Sequence, residues 1–398
     1  MGPLGTFLFV LPSLGVHLPP SQPLQHQKCT RLRSRAPSQQ QPPQQLSQQQ
    51  QQQQQGRGLC IGVVGGSGFV GQHLLEALQA IKEGRREEGA GLRVGEVRAY
   101  VRSEEAAEKV RRFGAEACAM DEPLDGVDVV IHLAANVALT DEQGWSAFES
   151  PAVNLTRHLL EAAEKAGVQR FIYASSTLVF LDARSRWLAK RYRNISEGSP
   201  YPRRPLNFYA KSKQMAERMV LGASDSNMTR IVLRPPIVWG PNDTSLLRVW
   251  NMTVSSGRHT WAGQGRYLKS TCYVSNVVEG LLKACVNGRS GQAYHVTDGN
   301  PVEWREFFTA VMSAIGWDLD ALPSSLYKDG KAPNLPRWRS ALRLLRRGTQ
   351  MEVIRHVLEG PFTVDDSVSR KELGYEGRVH VHEGVRRLRE WALAGKAT

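Results

Sequence analysis

Residues 59–78 read LCIGVVGGSGFVGQHLLEAL, an apolar run, a glycine cluster and an apolar-periodic stretch in succession. The spacing predicts a buried strand over 59–64, a tight turn over 65–71 and an amphipathic helix from 72 onward, the opening of a βαβ unit. Gly66, Gly68 and Gly71 satisfy G-x-G-x-x-G, while Gly65, Gly68 and Gly71 satisfy G-x-x-G-x-x-G. Glycines let the backbone turn sharply and approach a pyrophosphate at the helix N-terminus, and Phe69 and Val70 in the same turn join them as candidate cofactor-binding residues. A glycine triplet alone is as often a plain structural turn. The strand before it and the helix after it favour a nucleotide.

Outward from this unit, EVRAYVR (96–102) reads as the second strand and ends at Arg102. A fold of this kind selective for NAD carries a carboxylate there for the ribose hydroxyls, whereas an arginine suits a 2′-phosphate. NADP(H) is therefore favoured over NAD(H), the alternative being that Arg102 is one of many solvated arginines. GVDVVIHLAANVAL (126–139) reads as a strand followed by small residues, and Ala134 and Ala135 would allow close approach of a dinucleotide. His132, late in that strand, reads as a structural residue.

VQRFIYASSTLVF (168–180) is a further strand whose end carries Ser175, Ser176 and Thr177, with Ser176 the candidate to hydrogen-bond a reacting oxygen. By itself such a run is commonly a turn or helix cap. In NFYAKSKQMAERMV (207–220), Tyr209 and Lys213 are spaced i, i+4 and share one helix face. A free tyrosine titrates at roughly 10, and a close ammonium is expected to lower that value toward the range of a general acid/base. The histidines and cysteines show no zinc-ligand spacing, and no metal is expected.

Together the glycine turn, Ser176, the Tyr209/Lys213 pair and LRPPIVWGPND (233–243) resemble the extended short-chain dehydrogenase/reductase superfamily over residues 58–395. Within it, YAKSKQMAERMVL, LRPPIVWGPND, CYVSNVVEGLLKA and GQAYHVTDGNPVEWREFF are most similar to the 3β-hydroxysteroid dehydrogenase and sterol-4α-carboxylate 3-dehydrogenase branch. The resemblance implies hydride transfer between a nicotinamide cofactor and a secondary alcohol or ketone, in first place the 3β-hydroxyl of a steroid or sterol. It implies that Tyr209 is the acid/base, that Lys213 holds the nicotinamide ribose and acidifies the tyrosine, and that Ser176 fixes the substrate oxygen. Pro235 and Ile237 would border the nicotinamide. Two alternatives stay open: a dihydroflavonol-type reductase or nucleotide-sugar epimerase/dehydratase on the same scaffold, and a noncatalytic dinucleotide-binding protein. Retention of Ser176, Tyr209 and Lys213 argues against the last.

The expected fold class is α/β, a Rossmann doubly wound parallel sheet over 58–240 with a smaller C-terminal substrate-binding lobe over 241–398. Two departures bear on it. IKEGRREEGAG (81–91) lengthens the first crossover as a solvated loop, and CAMDEPLDGVDVV (118–130) leaves too little chain for a full helix between the third and fourth strands, which makes Asp121 doubtful as an adenine contact. Phe180 reads as packing. In the lobe, Trp239, Trp250, Trp261 and Phe307 suit an apolar pocket, while Arg248, Arg258 and Arg266 suit a diphosphate.

Residues 1–57 contain no Asp or Glu, several arginines and a Gln/Pro/Ser tract ending in polyglutamine, and read as a targeting segment followed by a disordered linker. A plastid or mitochondrial address is expected. The rival is a secretory or ER signal at TFLFVLPSLGVHL (6–18), with membrane-associated or cytoplasmic placement as the remaining alternatives. The 398 residues carry a net charge of +13, but the basic residues are spread out and no nucleic-acid signature accompanies them, so a small-molecule substrate and an anionic cofactor are the expected partners. The densest cluster, LPRWRSALRLLRRG (335–348), is a basic amphipathic helix that either makes peripheral membrane contact or, in the favoured reading, packs on the lobe. A homodimer is compatible with these features. Five cysteines form no dense framework, and reduced thiols are expected.

Overall fold

The computed structural model describes residues 57–85, 91–137, 141, 143–182, 192–222, 227–256, 261, 265–319 and 360–396. Residues 1–56, Arg258 and residues 335–348, where the sequence reading expects a targeting segment with its linker, a diphosphate-compatible arginine and a basic amphipathic helix, lie outside the described residues.

Strand β1 (Leu59–Val64) runs into helix α1 (Phe69–Lys82), which begins three residues before the predicted start because Gly68 already serves as its N-cap. The buried positions of α1 include Gly71, Leu74, Leu75 and Leu78, the i, i+3, i+4, i+7 stripe that sets one face on a sheet. The chain continues through β2 (Val94–Val101), α2 (Glu104–Arg111), β3 (Glu116–Ala119) and β4 (Val129–His132). As the short connection predicts, no helix separates β3 from β4. Then come α3 (Leu155–Lys165), β5 (Arg170–Ala174), α4 (Phe208–Leu221) and β6 (Thr229–Arg234).

These strands build a parallel sheet in the order β3-β2-β1-β4-β5-β6, extended beyond β6 by a seventh strand at Gln292–His295. The four residues of β4 are all buried, as expected of a strand covered on both faces. One face packs Ile61, Val63, Val129, Ile131 and Ile172 against Leu74 and Leu75 of α1. The other packs Val64, Val130, Phe171 and Tyr173 against Leu159 and Ala163 of α3 and Ala216 and Val220 of α4. Strand order reverses between β1 and β4. In doubly wound sheets that switch point opens a crevice at the strands' carboxyl ends, where ligands bind.

Past β6 the chain forms β7 (Ile237–Trp239), α5 (Leu246–Ser255), β8 (Leu268–Lys269), β9 (Thr271–Tyr273), α6 (Val274–Ala284), β10 (the seventh strand), β11 (Val302–Glu303), α7 (Trp304–Ala314), α8 (Ser367–Leu373) and α9 (Val381–Trp391). Helix α6 contributes Val277 and Leu281 to the same apolar layer as α1. Helix α8 adds Leu373 to that layer, while β7, α5, α7 and α9 contribute to a lobe around Trp239, Trp250, Trp261, Trp304, Phe307 and Phe308, all buried in one cluster. Trp239 stands edge-on to Phe307 at 5.1 Å, and Trp250 edge-on to Trp304 at 5.6 Å. The aromatics read from the sequence as candidate pocket lining are therefore this lobe's own core. Asp298 ties it together, accepting from Trp239 Nε1 at 3.0 Å, Thr271 Oγ1 at 2.8 Å and Asn276 Nδ2 at 2.8 Å.

Candidate active site

Gly65 adopts φ +90°, a conformation that side chains disfavour, and a Cβ there would lie 2.7 Å from the Ala134 backbone nitrogen. A Cβ on Gly71 would lie 2.3 Å from the Gly65 carbonyl oxygen. Turn, helix α1 and the end of β4 thus close on one another with no room for a side chain, a cradle that fits the pyrophosphate of a dinucleotide. The constraint falls on Gly65 and Gly71, which selects G-x-x-G-x-x-G from the two spacings. Phe69 and Val70 open α1 and lean on the lobe's apolar cluster. Arg102 is exposed just beyond β2, before Ser103 caps α2.

At the end of β5, Ser176 caps a short 3-10 helix (Thr177–Phe180), its Oγ accepting from the Leu178 nitrogen at 3.2 Å. The Thr177 nitrogen donates to the Pro235 carbonyl at 3.1 Å, so this turn is pinned to the chain leaving β6, where Pro235 is buried and Ile237 half-buried. Asn207 caps α4 by accepting from the Ala210 nitrogen at 2.8 Å, and Asp141 accepts from the Phe208 nitrogen at 2.7 Å. Tyr209 in the first turn is held from both sides. Gln214 Nε2 donates to the Val179 carbonyl at 2.7 Å, locking α4 to the turn that carries Ser176.

Ser176, Tyr209 and Lys213 meet at this junction. Lys213, 3% exposed, donates to the Ala174 carbonyl at 2.6 Å, with its Nζ 4.6 Å from the Tyr173 ring centroid and 5.9 Å from that of Tyr209. Burial brings its pKa down to about 7, and Glu217 pushes it back up. Burial pushes the Tyr209 phenol up to about 12, while the Ser176 hydroxyl bonded to it draws it down. The expected acidification of Tyr209 by Lys213 is thus not built into the protein alone: the ammonium is turned to the Ala174 carbonyl, and desolvation of the phenol dominates. His132 is buried, bonds Thr156 Oγ1 at 3.0 Å and is held neutral, its pKa lowered to about 3 chiefly by burial. Its structural reading stands.

Three residues behind the site escaped the sequence reading. Glu217, 0% exposed and one turn beyond Lys213, receives Arg234 Nη2 at 2.8 Å and the Tyr201 hydroxyl at 2.5 Å. The available signal was Glu217 extending the Tyr209, Lys213 spacing to i+8, together with an arginine closing the otherwise apolar IVLR. Phe180 stacks on Tyr201 at 6.1 Å and is packing, as read.

A glycine-cradled dinucleotide crevice beside a buried Ser, Tyr and Lys defines the short-chain dehydrogenase/reductase class. Residues 62–325 match the model of the 3-beta hydroxysteroid dehydrogenase/isomerase family, and the chain belongs to that family. It is 35% identical over 345 residues to a 4-hydroxy-2-methyl-3-oxo-4-farnesyl-3,4-dihydroquinoline-1-oxide ketoreductase of Stigmatella aurantiaca, covering 84% of this chain and 97% of that protein. To a decarboxylating sterol-4-alpha-carboxylate 3-dehydrogenase of Dictyostelium discoideum it is 26% identical, covering 82% and 98%. A dTDP-glucose 4,6-dehydratase from Streptomyces venezuelae, solved with NAD bound, shares the fold with a TM-score of 0.62 at 20% identity, over 85% of this chain and 98% of that one.

Proposed function

We propose that this protein is an NAD(P)-dependent dehydrogenase/reductase that interconverts a secondary alcohol and a ketone, with the 3β-hydroxyl of a steroid or sterol as the leading substrate. The observation that carries the reading is the junction of Ser176, Tyr209 and Lys213 at the carboxyl edge of β5, beside the Gly65/Ala134 cradle. Gly65, Gly68, Phe69, Val70, Gly71, Ala134 and Ala135 would hold the dinucleotide, Pro235 and Ile237 would border its nicotinamide, and Arg102 favours NADP through its 2′-phosphate. When bound, the nicotinamide supplies or accepts the hydride.

The chain moves the proton. In reduction the Tyr209 hydroxyl donates to the forming alkoxide, and in oxidation the phenolate takes the alcohol proton. Ser176 donates to the same oxygen, so two hydroxyls fix its position before reaction. Lys213 supplies a cation on the cofactor side, where a ribose hydroxyl can take a donor proton in place of the Ala174 carbonyl.

A second reading, reduction of a ring ketone on a prenylated heterocycle, is favoured by the similarity to the Stigmatella ketoreductase along nearly its whole length. Nicotinamide turnover by the full chain, measured with both cofactors against 3β-hydroxysterols, cyclic ketones and nucleotide sugars, separates the readings. Sterol-dependent reduction of NADP or NAD supports the first, and turnover with ring ketones alone supports the second. Turnover confined to nucleotide sugars contradicts both.

A further inference from the structure

Lys213 is a buried ammonium whose close acceptor is a neutral carbonyl, and a charge in that position needs support from somewhere else in the fold. The groups around it are His132 of β4, Tyr173 of β5, Tyr209 and Glu217 of its own helix, and Arg234 at the end of β6, bound to Glu217. At neutral pH His132 and the two phenols are uncharged, since burial holds the imidazole down near 3 and pushes both phenols up. Glu217 is left as the anion acting on Lys213.

Its geometry suits a fixed anion. The Glu217 carboxylate is enclosed, with Arg234 Nε at 3.1 Å, Arg234 Nη2 at 2.8 Å and the Tyr201 hydroxyl at 2.5 Å. Arg234 in turn donates through Nη1 to the Glu197 carbonyl at 3.0 Å. The pair joins α4, which carries the acid/base, to the last residue of β6, directly before Pro235 and Ile237. A buried ion pair contributes little net stability compared with an apolar pair of the same volume, so a purely structural purpose is a weak explanation for it.

We propose that Glu217 is a positioning residue for Lys213: buried one turn away on the same helix and clamped by Arg234 and Tyr201, its carboxylate favours the charged ammonium and holds α4 against the end of β6. The proposal rests on the reading above in which Lys213 binds the cofactor ribose as an ammonium. Removing the carboxylate charge makes Lys213 lose its proton at lower pH, so cofactor affinity falls off sooner on the alkaline side.

The test is the pH dependence of NADPH and NADH binding, followed by nicotinamide fluorescence on the full chain. Wild type weakens as Lys213 deprotonates. Glu217→Gln is expected to show the same weakening about one pH unit lower, with roughly tenfold lower affinity at pH 8. Because Glu217→Gln leaves Arg234 buried without its partner, the double variant Glu217→Leu/Arg234→Met, apolar at both positions, provides a counterpart without an orphaned charge, expected to shift in the same direction but by less, since a cation leaves with the anion. Glu217→Asp restores the charge and should return the midpoint toward wild type. Equal weakening at every pH marks a mere brace and overturns the proposal, as does a wild-type profile in both charge-removing variants. Lys213→Met separates the two levels. If it binds cofactor like wild type, the parent reading falls and this proposal with it; if it loses binding while the Glu217 variants keep the wild-type profile, this proposal alone falls.

Discussion

Among the described residues two lysines are sealed inside the protein, one in each half, and their surroundings differ. Lys213 in the Rossmann half and Lys269 in the lobe are 3% and 2% exposed, and burial brings both down to about 7. Lys213 has Glu217 one turn away to oppose that fall, whereas on Lys269 burial acts alone. Lys269 donates to the Gly360 carbonyl at 3.2 Å, with the Tyr267 ring at 5.2 Å and the Trp304 ring at 5.6 Å. The difference teaches how to separate a working buried cation from a packed one. Both fall to about 7, so what separates them is the neighbour: a fixed carboxylate acts on Lys213, while Lys269 has a carbonyl and two rings around its ammonium.

The comparison breaks most visibly if the two lysines are exchanged in importance. Lys213→Met is expected to lower kcat/KM by about 10²–10⁴. Lys269→Met should leave turnover intact and raise stability at pH 6 by about 2 kcal/mol. The sign follows from linkage: the folded pKa of about 7 lies below the ordinary lysine value, so between them the unfolded chain holds the extra proton. The cost of burying the ammonium is therefore complete below pH 7 and fades as pH rises toward roughly 10. Thermal unfolding of both proteins across that window checks it, and a constant gap between them would contradict it.

A steric pair sharpens the same contrast. A Cβ on Gly71 meets the Gly65 carbonyl oxygen at 2.3 Å, and one on Gly384 in α9 meets the Trp239 ring at 2.6 Å. Both alanine variants should lose about 1–3 kcal/mol to overpacking. Gly71→Ala should also lose dinucleotide binding, measured by fluorescence titration, while Gly384→Ala should keep it. The smallest expected effect is that of Arg102→Asp, a shift of roughly tenfold in the NADP-to-NAD ratio of kcat/KM. An unchanged ratio would remove Arg102 from the cofactor assignment.

The halves also differ in how much could be read from the chain. In the Rossmann half, β1, the glycine turn, the buried β4, the serine after β5 and the Tyr209/Lys213 spacing each announce themselves within a few residues. Strand β10 does not, because what makes Gln292–His295 a sheet strand is its pairing with Ile231–Arg234, about sixty residues away. The Glu217–Arg234 pair is hidden for the same reason. A glutamate on a helix and an arginine ending a strand look solvated until the fold buries both. In the lobe, composition misled: the tryptophans that suit an apolar pocket are spent on one another, since a small lobe needs large side chains to make a core. The choice between the two glycine spacings was illegible too, because it turns on the φ of Gly65 and the approach of Ala134.

The central claim is that hydride passes between a nicotinamide and a carbinol carbon under the control of Tyr209. The direct test is deuterium transfer from C4-labelled nicotinamide to a ketone substrate, by wild type and by Tyr209→Phe that still binds cofactor. Label at the carbinol carbon with wild type, and a rate about 10²–10⁴ lower with Tyr209→Phe, is the predicted result. Transfer at the same rate by both proteins, or label absent from the product of wild type, would contradict the account.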